Sequence, residues 1–178
     1  MQDTSNTSGI RLRAMELEDI DAMYAVENDT SLWHLGATNV PYSKTFLRDF
    51  VCNTTGDIYT DKQARLIVED LEGNRVGIVD ISDFSPKHLR AEIGIVIFEE
   101  FQGRGYATQA IREVIGYART VLHLHQLSAY VESDNHKSLS AFRSCGFQPV
   151  ATLPQWISVG DAFHDVILLQ FFLKKMPD

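Results

Sequence analysis

Cysteine is nearly absent from this sequence, and its scarcity narrows the class of protein. Only Cys52 and Cys145 occur among 178 residues, and they form no C-x-x-C pair. A disulfide framework and a thiolate metal site are therefore not predicted. The six histidines show no complete metal-ligand spacing, so we expect no metal.

Long apolar runs are missing as well. No segment is long enough to span a bilayer, and the first residues show no charged-then-apolar leader. The sequence therefore predicts no membrane association and a cytoplasmic location, which also fits the cysteine usage.

Positive charge is scarce relative to negative charge. Lys and Arg total 16 against 24 Asp and Glu, so the formal net charge is −8. This balance argues against nucleic acid as a partner and favours a cationic one, although ordinary solubility explains the same surplus. The length predicts a single domain over residues 10–178, after a polar, disordered tail over residues 1–9.

The most informative stretch is residues 90–118, RAEIGIVIFEEFQGRGYATQAIREVIGYA. An apolar, β-branched run over residues 93–98 predicts a buried strand, and apolar residues at helical spacing predict a helix from Tyr106. The glycine turn between them is an anion site, because the first N–H groups of a helix lack partners within the helix and carry the positive end of its dipole. Gly103 and Gly105 let an anion approach the backbone, and Arg104 adds a cation.

Two common phosphate motifs are excluded at this turn. A dinucleotide turn needs a third glycine where Thr108 stands, and a P-loop needs a Gly-Lys-Ser/Thr sequence that is missing. The pattern Q-x-x-G-x-A, formed by Gln102, Gly105 and Ala107, instead resembles the pyrophosphate-binding signature of the GNAT family of N-acetyltransferases. An ordinary glycine turn is the alternative.

The resemblance implies that acetyl-CoA is the cosubstrate. Its pyrophosphate would lie on the turn and its pantetheine arm beside the preceding strand, where a backbone N–H would stabilise the oxyanion. The residues implied in cofactor binding are Ile95, Val96, Ile97, Gln102, Gly103, Arg104, Gly105, Tyr106, Ala107 and Thr108.

The remaining pattern predicts a mixed α/β fold. Strands are expected at 10–15, 64–70, 76–81, 127–131, 147–156 and 163–173, and helices at 16–28, 43–52 and 136–145. Residues 53–63 and 82–89 are expected to be polar loops. The resemblance implies one central, mostly antiparallel sheet of about seven strands, flanked by about four helices.

Glu92 is the candidate base. An alkyl amine with a pKa near 10.4 is free base in only roughly one molecule in 2,500 at pH 7, a gap of about 4.6 kcal/mol that a positioned base offsets in part. Side chains alternate along a strand, so Glu92 and Gly94 face a cleft if Ile93, Ile95 and Ile97 face the core. A strand-end carboxylate paired with a neighbouring arginine, Arg90 or Arg112, is the alternative.

Asn135 begins a second stretch that resembles the family, in which this asparagine contacts the CoA arm. Asn also suits a plain helix N-cap. Many members carry a thiolate-protonating tyrosine where this chain has Phe142, so Ser138 or water is the candidate acid. Cys145 is expected at a helix C-terminus, where the dipole disfavours a thiolate, so a covalent acyl-enzyme is not predicted.

The acceptor is expected to be a primary amine that attacks the thioester directly. The family binds it between residues 30–42 and 155–164, which makes Trp33, His34, Asp83 and Trp156 the substrate-binding candidates. Parts of the sequence resemble spermidine N-acetyltransferases, and other parts resemble ribosomal-protein N-terminal acetyltransferases. A non-catalytic acyl-CoA-binding module remains the alternative function, and a homodimer is possible because dimers are common among relatives.

Overall fold

The structure is a computed structural model that describes residues 9–35 and 40–173. The predicted tail therefore lies almost entirely outside the described residues and stays a prediction. Its last residue, Gly9, donates its backbone N–H to the side-chain oxygen of Gln109 at 2.9 Å.

Seven strands form one sheet in the order β1-β2-β3-β4-β5-β7-β6. Neighbouring strands are antiparallel except for β4 and β5, which are parallel. The predicted mixed α/β class with one mostly antiparallel sheet is confirmed. The strands are β1 (Ile10–Ala14), β2 (Ala64–Asp70), β3 (Arg75–Ser85), β4 (Arg90–Ile97), β5 (Gln126–Glu132), β6 (Gln148–Val159) and β7 (Ala162–Phe172).

The described residues contain five α-helices, one more than the approximate number predicted. The extra helix lies in the predicted polar loop 53–63, where Asp57 accepts the N–H of Tyr59 and Ile58 is buried. A side-chain cap and one buried residue suffice for a single turn. The helices are α1 (Ile20–Glu27), α2 (Lys44–Asn53), α3 (Ile58–Asp61), α4 (Tyr106–Thr120) and α5 (His136–Ser144).

Two predicted boundaries next to Glu92 were wrong. Strand β3 continues to Ser85, into the predicted polar loop 82–89, and β4 begins at Arg90 instead of residue 93. The two strands satisfy each other's backbone groups there, with a register shift between Ser82 and Ser85. Polar side chains are compatible with an exposed strand face as well as with a loop, so the polarity of residues 82–89 wrongly predicted a loop.

The helices pack on opposite faces of the sheet. Helices α4 and α5 cover the larger core, where Ile93, Ile111 and Phe147 are buried, and α1 and α2 cover a smaller cluster around Met23 and Ile67. No helix in the described part of the chain is both long and apolar enough to cross a membrane.

Strands β4 and β5 separate partway along their length. They pair only at Arg90 with Gln126, Ala91 with Leu127 and Glu92 with Ser128. Beyond Glu92, β4 continues to Ile97 and β5 to Glu132 without pairing each other. We call the opening between them the β4–β5 cleft.

Candidate active site

The backbone of β4 directs alternate residues to opposite sides. Phe98 donates its N–H to the Val76 carbonyl at 3.0 Å, so by antiparallel alternation Val96 and Gly94 also direct their N–H groups toward β3. The carbonyl of Ala91 accepts from the Ser128 hydroxyl at 3.4 Å, which places the odd-numbered residues on the β5 side.

Ile95 therefore directs its N–H and carbonyl into the β4–β5 cleft, past the last residue pair of the two strands. The same alternation directs the N–H of Ile97 into the cleft, and the Gln102 side chain donates to the Ile97 carbonyl at 3.2 Å. Of the three residues expected beside the pantetheine arm, Ile95 and Ile97 direct their N–H groups into the cleft, whereas the Val96 N–H faces β3. Gln102 therefore joins the glycine turn to the end of β4, although it is exposed.

The glycine turn leaves the N-terminus of α4 open. Gly103 and Gly105 adopt φ of 75° and 80°, and a Cβ on either residue would meet no atom within 4 Å. Gly105 is the N-cap residue, and no side chain among the described residues caps the helix. The first N–H groups of α4 can therefore receive a phosphate, so the turn fits the pyrophosphate of CoA.

Arg104 lies at the rim of this turn. Its guanidinium donates to the Glu100 carbonyl at 3.0 Å and stacks over the Phe101 ring at 5.4 Å. Tyr106 packs edge-on against the same ring, while Ala107 and Thr108 are half-buried in the first turn of α4. Cys145 is the C-cap residue of α5, and its thiol donates to the Thr108 carbonyl at 3.5 Å, where a packed, unreactive thiol is expected.

Glu92 lies on the face predicted for it. Ile93 is 2% exposed in the core, whereas Glu92 is half-buried on the opposite face, next to the exposed Gly94. Burial, and then the nearby negative charge of Asp83, raise the pKa of Glu92. No ion pair joins Glu92 to any described residue, because Arg90 pairs with Asp83 instead.

Asn135 caps α5 as expected, accepting the Ser138 N–H on its side-chain oxygen at 3.0 Å. Its amide NH₂ makes no hydrogen bond to another described residue. The Ser138 hydroxyl makes no hydrogen bond within the described residues. Phe142 is 4% exposed and packs edge-on against Phe147 with ring centroids 5.0 Å apart, so this position belongs to the core.

Three of the four acceptor candidates are already engaged. Trp33 donates its indole N–H to the Glu27 carbonyl at 2.8 Å, His34 contacts Glu132, and Asp83 pairs with Arg90. Trp156 is 60% exposed on the edge strand β6. Residues 36–39 of the predicted acceptor segment lie outside the described residues.

Sequence reasoning missed a cavity of about 220 Å³ on the Glu92 face of the sheet. Glu92 does not line this cavity, but its register partner Ser128 does, and Gln170 is in turn the register partner of Ser128. Polar residues alternate with core residues along β5, and this pattern could have revealed the cavity. Its lining residues are Arg90, Gln126, Ser128, Tyr130, Leu168 and Gln170.

Sequence reasoning also missed the ion pairs around this face. Arg65 joins Glu27 to Asp80, whose carboxylate it contacts at 2.6 Å, and Asp80 is the register partner of Gly94. His164 contacts Glu132. No group of three or more His, Cys, Asp or Glu side chains within residues 9–35 and 40–173 is arranged to hold a metal ion.

Comparison with known proteins identifies the family. Residues 10–148 match the acetyltransferase (GNAT) domain, which is more than half of the chain. The chain belongs to the GNAT acetyltransferase family. It is therefore an acyltransferase enzyme that uses acetyl-CoA as cosubstrate to acetylate an amine, and the predicted family is confirmed.

Individual GNAT relatives resemble nearly the whole chain. Spermidine N(1)-acetyltransferase of Escherichia coli is 28% identical over 167 residues, which cover 92% of this chain and 86% of the relative. Spermidine N-acetyltransferase from Vibrio cholerae in complex with CoA and spermine has a TM-score of 0.84 at 25% identity, covering 94% of this chain and 97% of that one. A dodecameric structure of the Vibrio cholerae enzyme has a TM-score of 0.78 at 28% identity, covering 94% and 95%.

Proposed function

We propose that this GNAT enzyme acetylates a primary amine of a polyamine such as spermidine or spermine, by direct attack on the thioester of acetyl-CoA. The observation that carries the chemistry is Glu92, a half-buried carboxylate without an ion-pair partner among the described residues, at the point where β4 and β5 separate. The relatives that act on spermidine, and the relative solved with spermine, support this acceptor class.

The charge on the Glu92 face supports a cationic acceptor. Glu27 and Asp80 both form ion pairs with the one guanidinium of Arg65, and Asp83 forms an ion pair with Arg90. Glu92 has no such partner among the described residues. Carboxylates therefore outnumber guanidiniums on this face, and the resulting negative potential attracts a polycation.

The cosubstrate is proposed to lie along the β4–β5 cleft. The N–H groups at the start of α4, with Gly103 and Gly105, receive the pyrophosphate, and Arg104 supplies a cation at the rim. The pantetheine arm follows the open edge of β4 at Ile95 and Ile97, with the Asn135 amide on the β5 side. These residues orient the thioester toward Glu92.

The proposed reaction begins with removal of a proton from the bound ammonium. Glu92 accepts it directly or through water, and its raised pKa makes it a better base than an ordinary glutamate. The amine nitrogen then attacks the carbonyl carbon, and the Ile95 N–H stabilises the oxyanion. The carbon–sulfur bond breaks and the nitrogen releases its second proton to water. The thiolate takes a proton from Ser138, which water reprotonates, or from water directly, because the Phe142 side chain has none to give.

The rest of the acceptor is proposed to occupy the cavity beside Glu92. Leu168 and the Tyr130 ring offer apolar surface to methylene groups, and the hydroxyls of Ser128 and Tyr130 offer hydrogen bonds to amines. Of the predicted acceptor contacts, Trp156 is exposed, whereas Trp33, His34 and Asp83 are engaged by Glu27, Glu132 and Arg90.

The experiment that tests this acceptor class is an amine panel with acetyl-CoA, read as free thiol and acetylated product. The panel contains spermidine, spermine, simple diamines and peptides with free N-termini. The proposal predicts the highest kcat/KM for a polyamine. Turnover restricted to peptides would show that the acceptor is a protein N-terminal amine and not a polyamine. This second candidate is favoured by the Asn135–Ser138 contact and by Phe142. Tight acetyl-CoA binding without any turnover would favour the non-catalytic module.

We also propose that the enzyme self-associates in the cytoplasm. A relative is dodecameric, and the edge strand β6 exposes Val150 and Trp156. Cys52 and Cys145 are both free thiols, as suits a reducing compartment. Light scattering on the purified chain tests the assembly, and a mass equal to one chain at micromolar concentration would contradict it.

A further inference from the structure

A carboxylate lies between two imidazole rings at the end of β5. One oxygen of Glu132 contacts Nδ1 of His164, and the other lies 3.3 Å from Nε2 of His34. The Glu132 side chain is only 12% exposed, so both contacts are sheltered from solvent. We call these three residues the His–Glu–His clasp.

The chemistry of the clasp fixes both rings. A carboxylate only accepts hydrogen bonds, so His164 carries a proton on Nδ1, where the two groups meet. His34 lies with Nε2 at 3.3 Å from the other oxygen, a contact that is an ion pair when the ring is protonated.

The clasp joins elements that are distant in the chain. His34 lies in a short 3-10 turn, Trp33–Leu35, in the segment between α1 and α2, whereas His164 lies near the start of β7. We call the described residues 30–35 the acceptor loop. A second tether holds this loop, because the Trp33 indole N–H donates to the Glu27 carbonyl at 2.8 Å.

Glu132 also contacts the opposite side of the site. Its backbone carbonyl accepts the Asn135 N–H at 3.0 Å, and Asn135 caps α5 beside the β4–β5 cleft. The side chain of Glu132 therefore holds the acceptor loop, while its backbone holds the asparagine proposed to contact the CoA arm.

We propose that Glu132 is a positioning residue that fixes the acceptor loop through His34 and His164 and so sets the affinity for the amine. The inference rests on the proposed function, since the loop matters to catalysis only if the acceptor binds beside it. Loosening the clasp frees the loop from the sheet and weakens acceptor binding, while the glycine turn and Glu92 keep their geometry.

Matched substitutions distinguish the effect of losing the polar contacts to Glu132 from the effect of losing the volume of the imidazole rings. His34→Ala removes the donor, whereas His34→Gln keeps an N–H at the position of Nε2. His164→Ala and His164→Asn form the same pair for Nδ1. Glu132→Gln retains one acceptor oxygen and loses the other, so it breaks one of the two contacts.

The measurements are steady-state kinetics with spermidine, acetyl-CoA affinity, and amide hydrogen exchange of residues 30–35, all on the full chain. For His34→Ala, His164→Ala and Glu132→Gln we expect the KM for spermidine to rise about ten-fold, the loss expected for one hydrogen bond to a charged group. The kcat and the acetyl-CoA affinity should stay within about two-fold, exchange of the loop should accelerate, and His34→Gln and His164→Asn should restore both readouts.

Two results would overturn the inference. One is an unchanged KM and unchanged exchange in the alanine variants. The other is a parallel loss of kcat and acetyl-CoA affinity, which would mean general damage to the fold. If the wild-type enzyme does not acetylate spermidine, the polyamine proposal is contradicted instead. Hydrogen exchange of the acceptor loop then decides whether the clasp holds the loop.

Discussion

Among single residues, Asp83 is the charged neighbour that raises the pKa of the Glu92 carboxyl. Because burial and Asp83 raise the pKa of Glu92 above its ordinary value of 4.5, the carboxyl loses its proton at a higher pH than an exposed glutamate does. A base acts only when ionised, so kcat should fall as the pH drops through this raised pKa.

Asp83→Asn should move that acid limb of kcat to lower pH. The substitution removes a negative charge near Glu92 and releases Arg90 from its partner, and both changes favour the ionised carboxylate. The pH profile of kcat measures the shift. Asp21→Asn, an exposed carboxylate on α1 that pairs with Lys44, is the matched control and should leave the limb in place. An acid limb of kcat that stays at the same pH, or moves to higher pH, in Asp83→Asn would contradict this assignment.

At the scale of elements, the glycine turn into α4 can be tested against the interior of the same helix. Gly105→Ala forces a Cβ into a φ of 80°, which costs about 1–2 kcal/mol and narrows the approach to the first N–H groups. We expect lower thermal stability and an acetyl-CoA affinity reduced about ten-fold or more.

Gly116→Ala is the control for this turn. Gly116 lies in the interior of α4 with no atom within 4 Å of the added Cβ, so alanine should stabilise the helix by about 0.5–1 kcal/mol and leave acetyl-CoA binding unchanged. Calorimetry measures both effects. Equal loss of affinity in both variants would show that the turn has no special role in binding.

Local patterns predicted the strand, turn and helix around residues 90–118, because each depends on neighbours in sequence. The β-branched run, the two glycines and the helical spacing each specify one element, and strand alternation placed Glu92 opposite Ile93. The same patterns missed α3, which depends on a single Asp57 cap, and the extension of β3.

Contacts between distant segments could not be read from the sequence. The separation of β4 from β5 depends on which strands pair, and the clasp joins His34, Glu132 and His164 from three elements. His34 was expected to bind the acceptor, because the sequence shows neighbours along the chain and not contacts across the sheet.

At the scale of the whole molecule, one buried ion cluster links β1, β3 and the start of α1. Asp19 is fully buried and accepts hydrogen bonds from Arg13 at 2.7 and 2.9 Å, from the Glu16 N–H at 2.8 Å and from Arg75. Burial alone would raise the pKa of Asp19, but these donors hold it well below the ordinary range.

Asp19→Asn should lower the free energy of unfolding by about 1–3 kcal/mol at pH 7, because Arg13 and Arg75 lose a charged acceptor while Arg13 keeps its pair with Glu69. A depressed pKa contributes stability above the pKa of the unfolded chain, about 3.9, and that stability is lost as the pH falls below it. The free energy of unfolding of wild type should therefore decrease below about pH 4. The Asp19→Asn variant should not show the part of this decrease that Asp19 causes. Urea titrations across pH measure both, and a variant as stable as wild type at pH 7 would contradict the account.

The central claim is that Glu92, at the β4–β5 cleft of this GNAT enzyme, is the base for amine acetylation. The most direct test is spermidine-dependent thiol release from acetyl-CoA by wild type, Glu92→Gln and the exposed control Glu99→Gln. The account predicts turnover by wild type and Glu99→Gln, and a kcat at least about a hundred-fold lower in Glu92→Gln with acetyl-CoA affinity retained. A Glu92→Gln enzyme as fast as wild type would contradict it.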